Sequence, residues 1–104
     1  MRPGFISPTD ASKMASSLDV LSNGRVSLNI VSGGSPKELG MDGDFIEHDK
    51  RYERTKEFTE ILKGVWNASS TYDYEGQFYK IIGANFKPNP IQKPYPKLYL
   101  GGTI

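Results

Sequence analysis

His48 and Tyr52 stand four residues apart at the start of a predicted helix. Side chains at that spacing share one helical face. The first amides of a helix have no partner within it, and the helix dipole favours a negative charge there. An imidazole N–H, a phenol O–H and one or two of those amides together make a donor set for a phosphate. Asp49 lies between them and is a good capping residue. Its charge would oppose a phosphate if it faced the same way, so it is assigned to the cap. A histidine at such a place is more often a surface or cap residue, so this pair alone defines a ligand class and no enzyme.

Two glycine-ended strands supply the second chemical feature. Arg25–Val31 runs into Ser32-Gly33-Gly34, and Lys97-Leu98-Tyr99-Leu100 runs into Gly101-Gly102-Thr103. Glycine lets backbone approach a phosphate closely, and Thr103 can donate a hydrogen bond. In parallel α/β sheets, ligands bind outside the carboxyl ends of the strands. Val26, Leu28 and Ile30 share one face of the first strand, and Ser27, Asn29 and Val31 share the other. A polar Asn29 facing inward needs hydrogen-bond partners, either as a satisfied core amide or as a ligand contact.

The elements that position these residues are legible from spacing and punctuation. Ser7 caps a helix over Pro8–Leu21, with Pro8 at its first position. Ala11, Met14, Ala15, Leu18 and Leu21 make its apolar stripe, with Met14 as core filler. Asn23-Gly24 provides a left-handed exit. Residues 32–47 form a long loop of the kind that is functional or disordered. A second helix spans Asp49–Trp66, with Phe58, Ile61, Leu62, Val65 and Trp66 facing the core. Tyr72–Ile82 reads as a hairpin turning near Glu75-Gly76. Four prolines between Pro88 and Pro96 exclude helix and central strand, leaving an extended connector into the last strand.

Composition excludes several classes. The 104 residues carry 37% apolar and 24% charged residues and a net charge of +1, so the chain is one ordinary domain at most and is not compositionally disordered. Its basic residues are scattered, which argues against nucleic acid and membrane surfaces. No apolar run reaches the roughly 20 residues of a spanning helix, no signal peptide is visible, and the cytoplasm is the default location. The absence of cysteine excludes disulfides and thiolate metal sites. With one histidine, a histidine-rich metal site is impossible and a Ser-His-Asp triad would depend on His48 alone.

Two strands joined through a helix make a βαβ crossover and hence a parallel pair. One such pair leaves both sheet edges open and little core, which points to a fragment of a larger barrel. The turn chemistry of Arg2-Pro3-Gly4 directly after Met1 suggests a start inside a larger fold or, as composition alone slightly favours, a short disordered terminus.

The combination is more specific than any of its parts. Arg2-Pro3-Gly4, Ser7-Pro8-Thr9, Leu21-Ser22-Asn23-Gly24-Arg25, Asn29-Ile30-Val31-Ser32-Gly33-Gly34, His48-Asp49-Lys50-Arg51-Tyr52-Glu53 and Pro90-Ile91-Gln92-Lys93-Pro94-Tyr95-Pro96 through Gly102 occur in an order that resembles the bacterial luciferase-like FMN-dependent monooxygenases, most closely the alkanesulfonate branch. The resemblance covers essentially the whole chain. It implies an α/β fold, a partial (β/α)8 TIM barrel from about helix 3 to strand 5 with an inserted hairpin, and residues 1–104 as a fragment of one barrel domain. It implies reduced FMN supplied by a separate flavin reductase, with oxygen and a small organosulfur compound as co-substrates. It places His48 and Tyr52 at the flavin phosphate, Gly102 and Thr103 at the phosphate end of the next strand, and Asn29 and Ser32 where the earlier strand approaches the flavin. It implies no catalytic residue within this chain. A deazaflavin-dependent oxidoreductase of the same fold, a non-catalytic flavin or phosphate module, and a structural fragment remain as alternatives, and the full-length enzyme is compatible with a homo-oligomer.

Overall fold

The computed structural model describes residues 3, 6–31, 48–68, 70–85 and 88–101, with the backbone alone at 31, 48, 49, 100 and 101. Its elements are α1 (Pro8–Leu21), β1 (Ser27–Val31), α2 (His48–Asn67), β2 (Tyr72–Glu75), β3 (Lys80–Ala84) and β4 (Lys97–Gly101).

Helix α1 starts where Ser7 Oγ accepts from the Asp10 amide at 3.1 Å, with Pro8 in the first turn. It ends at a left-handed Asn23-Gly24 pair (φ 59° and 81°), which turns the chain straight into β1. The buried face differs from the expected stripe. Pro8, Ala11, Ser12, Ala15, Ser16 and Asp19 are buried, whereas Met14, Leu18 and Leu21 are 54%, 52% and 81% exposed. Small side chains let α1 lie close against α2, and the Ser16 hydroxyl stays satisfied by donating to the Ser12 carbonyl at 2.8 Å. Met14 is therefore a surface residue here, not core filler.

Strands β1 and β4 pair in parallel, from Ser27 opposite Lys97 to Val31 opposite Gly101. Leu28 and Ile30 are buried against the helices, while Ser27, Asn29, Lys97 and Tyr99 are exposed on the other face. Asn29 is thus open on the face away from the helices, and the expectation of a buried amide there does not hold.

Helix α2 supplies half of the buried apolar residues among those described. Phe58, Ile61 and Leu62 are fully buried, with Val65 and Trp66 nearly so, matching the expected stripe. Phe58, Leu62 and Trp66 join Ala11, Ala15, Leu28 and Ile30 in one cluster, so both helices cover the same face of the strand pair. Trp66 Nε1 donates to the Ser12 carbonyl at 3.2 Å, and its ring stacks on Tyr95 at 6.3 Å. The helix begins at His48, which puts Asp49 inside it and not at its cap.

The hairpin β2–β3 is antiparallel and forms its own two-stranded sheet. Ile61 and Val65 of α2 pack with Ala84 and, at the edge, Tyr72 and Ile81. Glu57 binds its turn, accepting from the amides of Gln77 (2.9 Å), Phe78 (3.0 Å) and Tyr79 (3.2 Å). Tyr74 donates to Glu60 at 2.9 Å, and burial together with that acidic partner pushes its phenol well above the usual tyrosine range. Between Pro88 and Pro96 the chain forms neither helix nor strand, as the prolines require.

Candidate functional site

The direction of α2 decides which end of the strand pair can hold a ligand. Trp66, in the last turn of α2, stacks on Tyr95, which lies two residues before β4. The Lys63 ammonium also sits 5.4 Å from the centre of the Tyr95 ring. The C-terminus of α2 is therefore at the N-terminal end of the strands. A helix of 20 residues is about 30 Å long, so its N-terminus, with His48 and Tyr52, lies toward the opposite end, where β1 and β4 finish side by side at Val31 and Gly101. Topology thus brings a helix N-terminus and two carboxyl-terminal strand ends to one side of the fold.

The proposed phosphate donors stand as follows. Tyr52 is 41% exposed, on the solvent side of α2. His48 is the first residue of the helix, and its imidazole lies outside what the structure describes. Ser32, Gly102 and Thr103 also lie outside the described residues. Asn29 is exposed on β1, directly across from Tyr99 on β4, which is 56% exposed. Tyr99 was not singled out by spacing or motif. The alternation of Leu98, Tyr99 and Leu100 carries the signal, because it turns the one aromatic residue to the face opposite the core.

Charge near the start of α2 is partly balanced. Lys50 Nζ lies 3.8 Å from the Glu53 carboxylate, on an exposed surface where such a pair adds little stability. Its effect is to offset a negative charge one residue from Tyr52. The groove further along α2 has the opposite character. It measures about 270 Å³ and is lined by Glu53, Lys56, Glu57, Glu60, Tyr74 and Gln77. Three carboxylates against one lysine disfavour a phosphate, and two of those carboxylates are already engaged by the hairpin. It is a structural seam between helix and hairpin.

At the other end of the strands, sequence reading missed a second polar centre. Asp19 is completely buried on α1. It accepts from the amides of Ile91 (2.7 Å) and Gln92 (2.9 Å) and from Gln92 Nε2 (2.6 Å). Burial pushes its carboxyl up, but the Gln92 side chain and the two amides outweigh burial and hold it below the usual carboxylate range. No local signal joins residues 73 positions apart. An acidic residue at helical spacing from Ser12 and Ser16 on the small-residue face was the available hint.

A parallel strand pair with a crossover helix, closed over by a preceding helix, is the repeating unit of β/α proteins. The profile of the family described as luciferase-like monooxygenase matches residues 1–103, and the chain belongs to that family. Solved structures agree in fold. A monooxygenase from Streptomyces bottropensis superposes with a TM-score of 0.83 at 23% identity, over 96% of this chain and 30% of its own. The EDTA monooxygenase from Chelativorans sp. BNC1 gives 0.77 at 24% identity, over 94% of this chain and 28% of its own. An F420-dependent secondary alcohol dehydrogenase, solved with an F420–acetone adduct, gives 0.78 at 18% identity, over 89% of this chain and 28% of its own. The chain therefore spans under a third of the length of the structures it matches.

Proposed function

We propose that residues 1–104 are part of a single luciferase-like barrel domain, from about its third helix to its fifth strand, whose function is to seat the phosphate of a reduced flavin. The observation that carries this reading is the placement of the α2 N-terminus on the same side as the carboxyl ends of β1 and β4. The first turn of a helix leaves amides that the helix itself does not use, and its dipole favours an anion. His48 and Tyr52, four apart in sequence, would add an N–H and an O–H. By the family resemblance, Gly102 and Thr103, which follow β4 in sequence, Ser32, which follows β1, and Asn29 within β1 would add contacts to the flavin. These donors suit FMN, whose single terminal phosphate needs several hydrogen bonds and no metal.

The whole enzyme in this reading is a monooxygenase that takes reduced FMN from a separate reductase and acts on an alkanesulfonate. Bound flavin supplies two electrons to oxygen, so that one oxygen atom ends in the aldehyde and the other in water, while sulfite leaves. The residues of this chain bind and orient the cofactor. The groups that hold the sulfonate belong to parts of the barrel outside residues 1–104. Purified chain, supplied with FMN, a flavin reductase and a series of alkanesulfonates, is accordingly expected to release no sulfite. Turnover by residues 1–104 alone would overturn the division of labour proposed here.

A second reading is supported by the likeness to the F420-dependent dehydrogenase. In it the same corner binds a deazaflavin phosphate and the full protein transfers hydride. Side-by-side titration of FMN and a deazaflavin separates the two, because each reading requires tighter binding of its own cofactor.

A further inference from the structure

The strand ends can serve a ligand only if β4 is held at one register against β1. Alternation of buried and exposed residues forbids a slip of one residue, since that would turn Leu98 to solvent. It does not forbid a slip of two, which keeps every side chain on its own face. Something else must exclude that slip, and the N-terminal end of the pair contains it.

We propose that Asp19 and Gln92 form a clamp that fixes the register of β4 against β1 and so sets where the two strands finish, Val31 opposite Gly101. Asp19 holds Gln92 by its side chain and by two successive amides, those of Ile91 and Gln92. Gln92 Nε2 also donates to the Val26 carbonyl at 2.5 Å, immediately before β1. The Asp19 carbonyl accepts from the Gly24 amide at 2.8 Å, fixing the turn that leads into β1. Asp19 and Gln92 together thus tie α1, the entry to β1 and the approach to β4. Between Gln92 and β4 lie only Lys93, Pro94, Tyr95 and Pro96. Two of these four have φ fixed by the proline ring. Tyr95 is pinned besides by its stack on Trp66. Such a spacer cannot absorb the roughly 6.6 Å of a two-residue slip. The clamp therefore transmits its position to Gly101. The consequence for flavin binding rests on the function proposed above, whereas the register itself does not. Asp19 is a positioning residue in this scheme and touches no ligand.

The chain contains no cysteine, so an introduced pair reports register without interference. Asn29 and Tyr99 are opposite each other and both exposed, which makes Asn29→Cys with Tyr99→Cys the in-register pair. Asn29→Cys with Lys97→Cys is the pair that meets after a two-residue slip. Oxidative cross-linking of the first pair is expected to run at least about tenfold faster than the second, since each hydrogen bond to a charged group is worth a factor of ten or more. Adding Asp19→Asn, whose one oxygen can still accept from the amides of Ile91 and Gln92 but whose NH2 is then set against Gln92 Nε2, should bring the two rates within about threefold. Gln92→Met removes both side-chain bonds, and should narrow the ratio likewise should the Asp19 variant fail to fold. Phe58→Val weakens the core away from the clamp and should leave the ratio unchanged, because general unfolding alters both rates together. A ratio preserved in both clamp variants would overturn the proposal, and so would a ratio that collapses equally in Phe58→Val. FMN titration of cysteine-free Asp19→Asn then tests the link to the ligand. Loss of affinity together with the narrowed ratio supports that link, and full affinity despite it refutes the link. Absence of FMN binding by the unmodified chain would count against the flavin reading alone, with the clamp still judged by the cross-linking ratio.

Discussion

Replacing Glu57 by glutamine probes the seam between α2 and the hairpin. One carboxylate there collects three successive amides, from Gln77, Phe78 and Tyr79, at 2.9–3.2 Å. Glutamine keeps one acceptor but points an NH2 group at the Gln77 amide, which sets donor against donor. Hydrogen bonds to charged groups contribute about 1.5–3 kcal/mol each when well shielded. Glu57 is half-buried and Gln77 is exposed, so water recovers much of the loss. The net cost is therefore about 1–2 kcal/mol for Glu57→Gln, and no less for Glu57→Ala. For a chain of this length, 1 kcal/mol corresponds to about 4–8 °C in melting temperature. Urea unfolding followed by the fluorescence of Trp66, the sole tryptophan, measures the global term. Amide exchange at Gln77, Phe78 and Tyr79 measures the local one and should accelerate in both variants. Glutamine matching the wild type within about 0.3 kcal/mol, with unchanged exchange at the turn, would refute the reasoning that charge and acceptor geometry hold this turn.

Other expectations follow from burial and titration. Phe58→Ala removes a fully buried ring that meets Tyr79 edge-on at 6.2 Å, and should cost about 3–5 kcal/mol in denaturant unfolding. Leu18→Ala, at a position 52% exposed, should cost less than about 1 kcal/mol, although both residues are large and apolar. Asp19 has a folded-state pKa below its ordinary value, so its contribution is complete above the unfolded carboxylate range near pH 4 and is lost as pH falls through the folded value. Between pH 5 and pH 2 the unfolding free energy of wild type should therefore fall more steeply than that of Asp19→Asn, as measured by urea titrations at each pH.

Much of the fold is legible from local chemistry. Ser7-Pro8 and Asn23-Gly24 bound α1 because cap and left-handed exit are encoded within a few residues. The stripe from Phe58 to Trp66 defines the core face of α2, and the four prolines before β4 leave no alternative to an irregular approach. The parallel pairing of β1 and β4 follows from the crossover between them. The buried face of α1 was not legible, because hydropathy ranks Met14, Leu18 and Leu21 above Ser12, Ser16 and Asp19. Close approach to α2 through small residues, and a carboxylate satisfied by a segment more than 70 residues away, reverse that ranking. The role of Glu57 was not legible either, since its partners are turn amides with no sequence signature. For the site, spacing identified a helix N-terminus and two glycine-ended strands. The exposure of Tyr99 was not legible, because it depends on which face of β4 meets the core.

The measurement that bears most directly on the proposed role is a paired titration of FMN and riboflavin into the chain, read by flavin fluorescence. The two ligands share the ring and differ in the phosphate. A phosphate seat at the α2 N-terminus predicts saturable quenching by FMN, binding of riboflavin weaker by about tenfold or more, and a comparable loss of FMN affinity in His48→Ala and Tyr52→Phe. Equal affinity for both flavins, or FMN binding untouched by both substitutions, would contradict it.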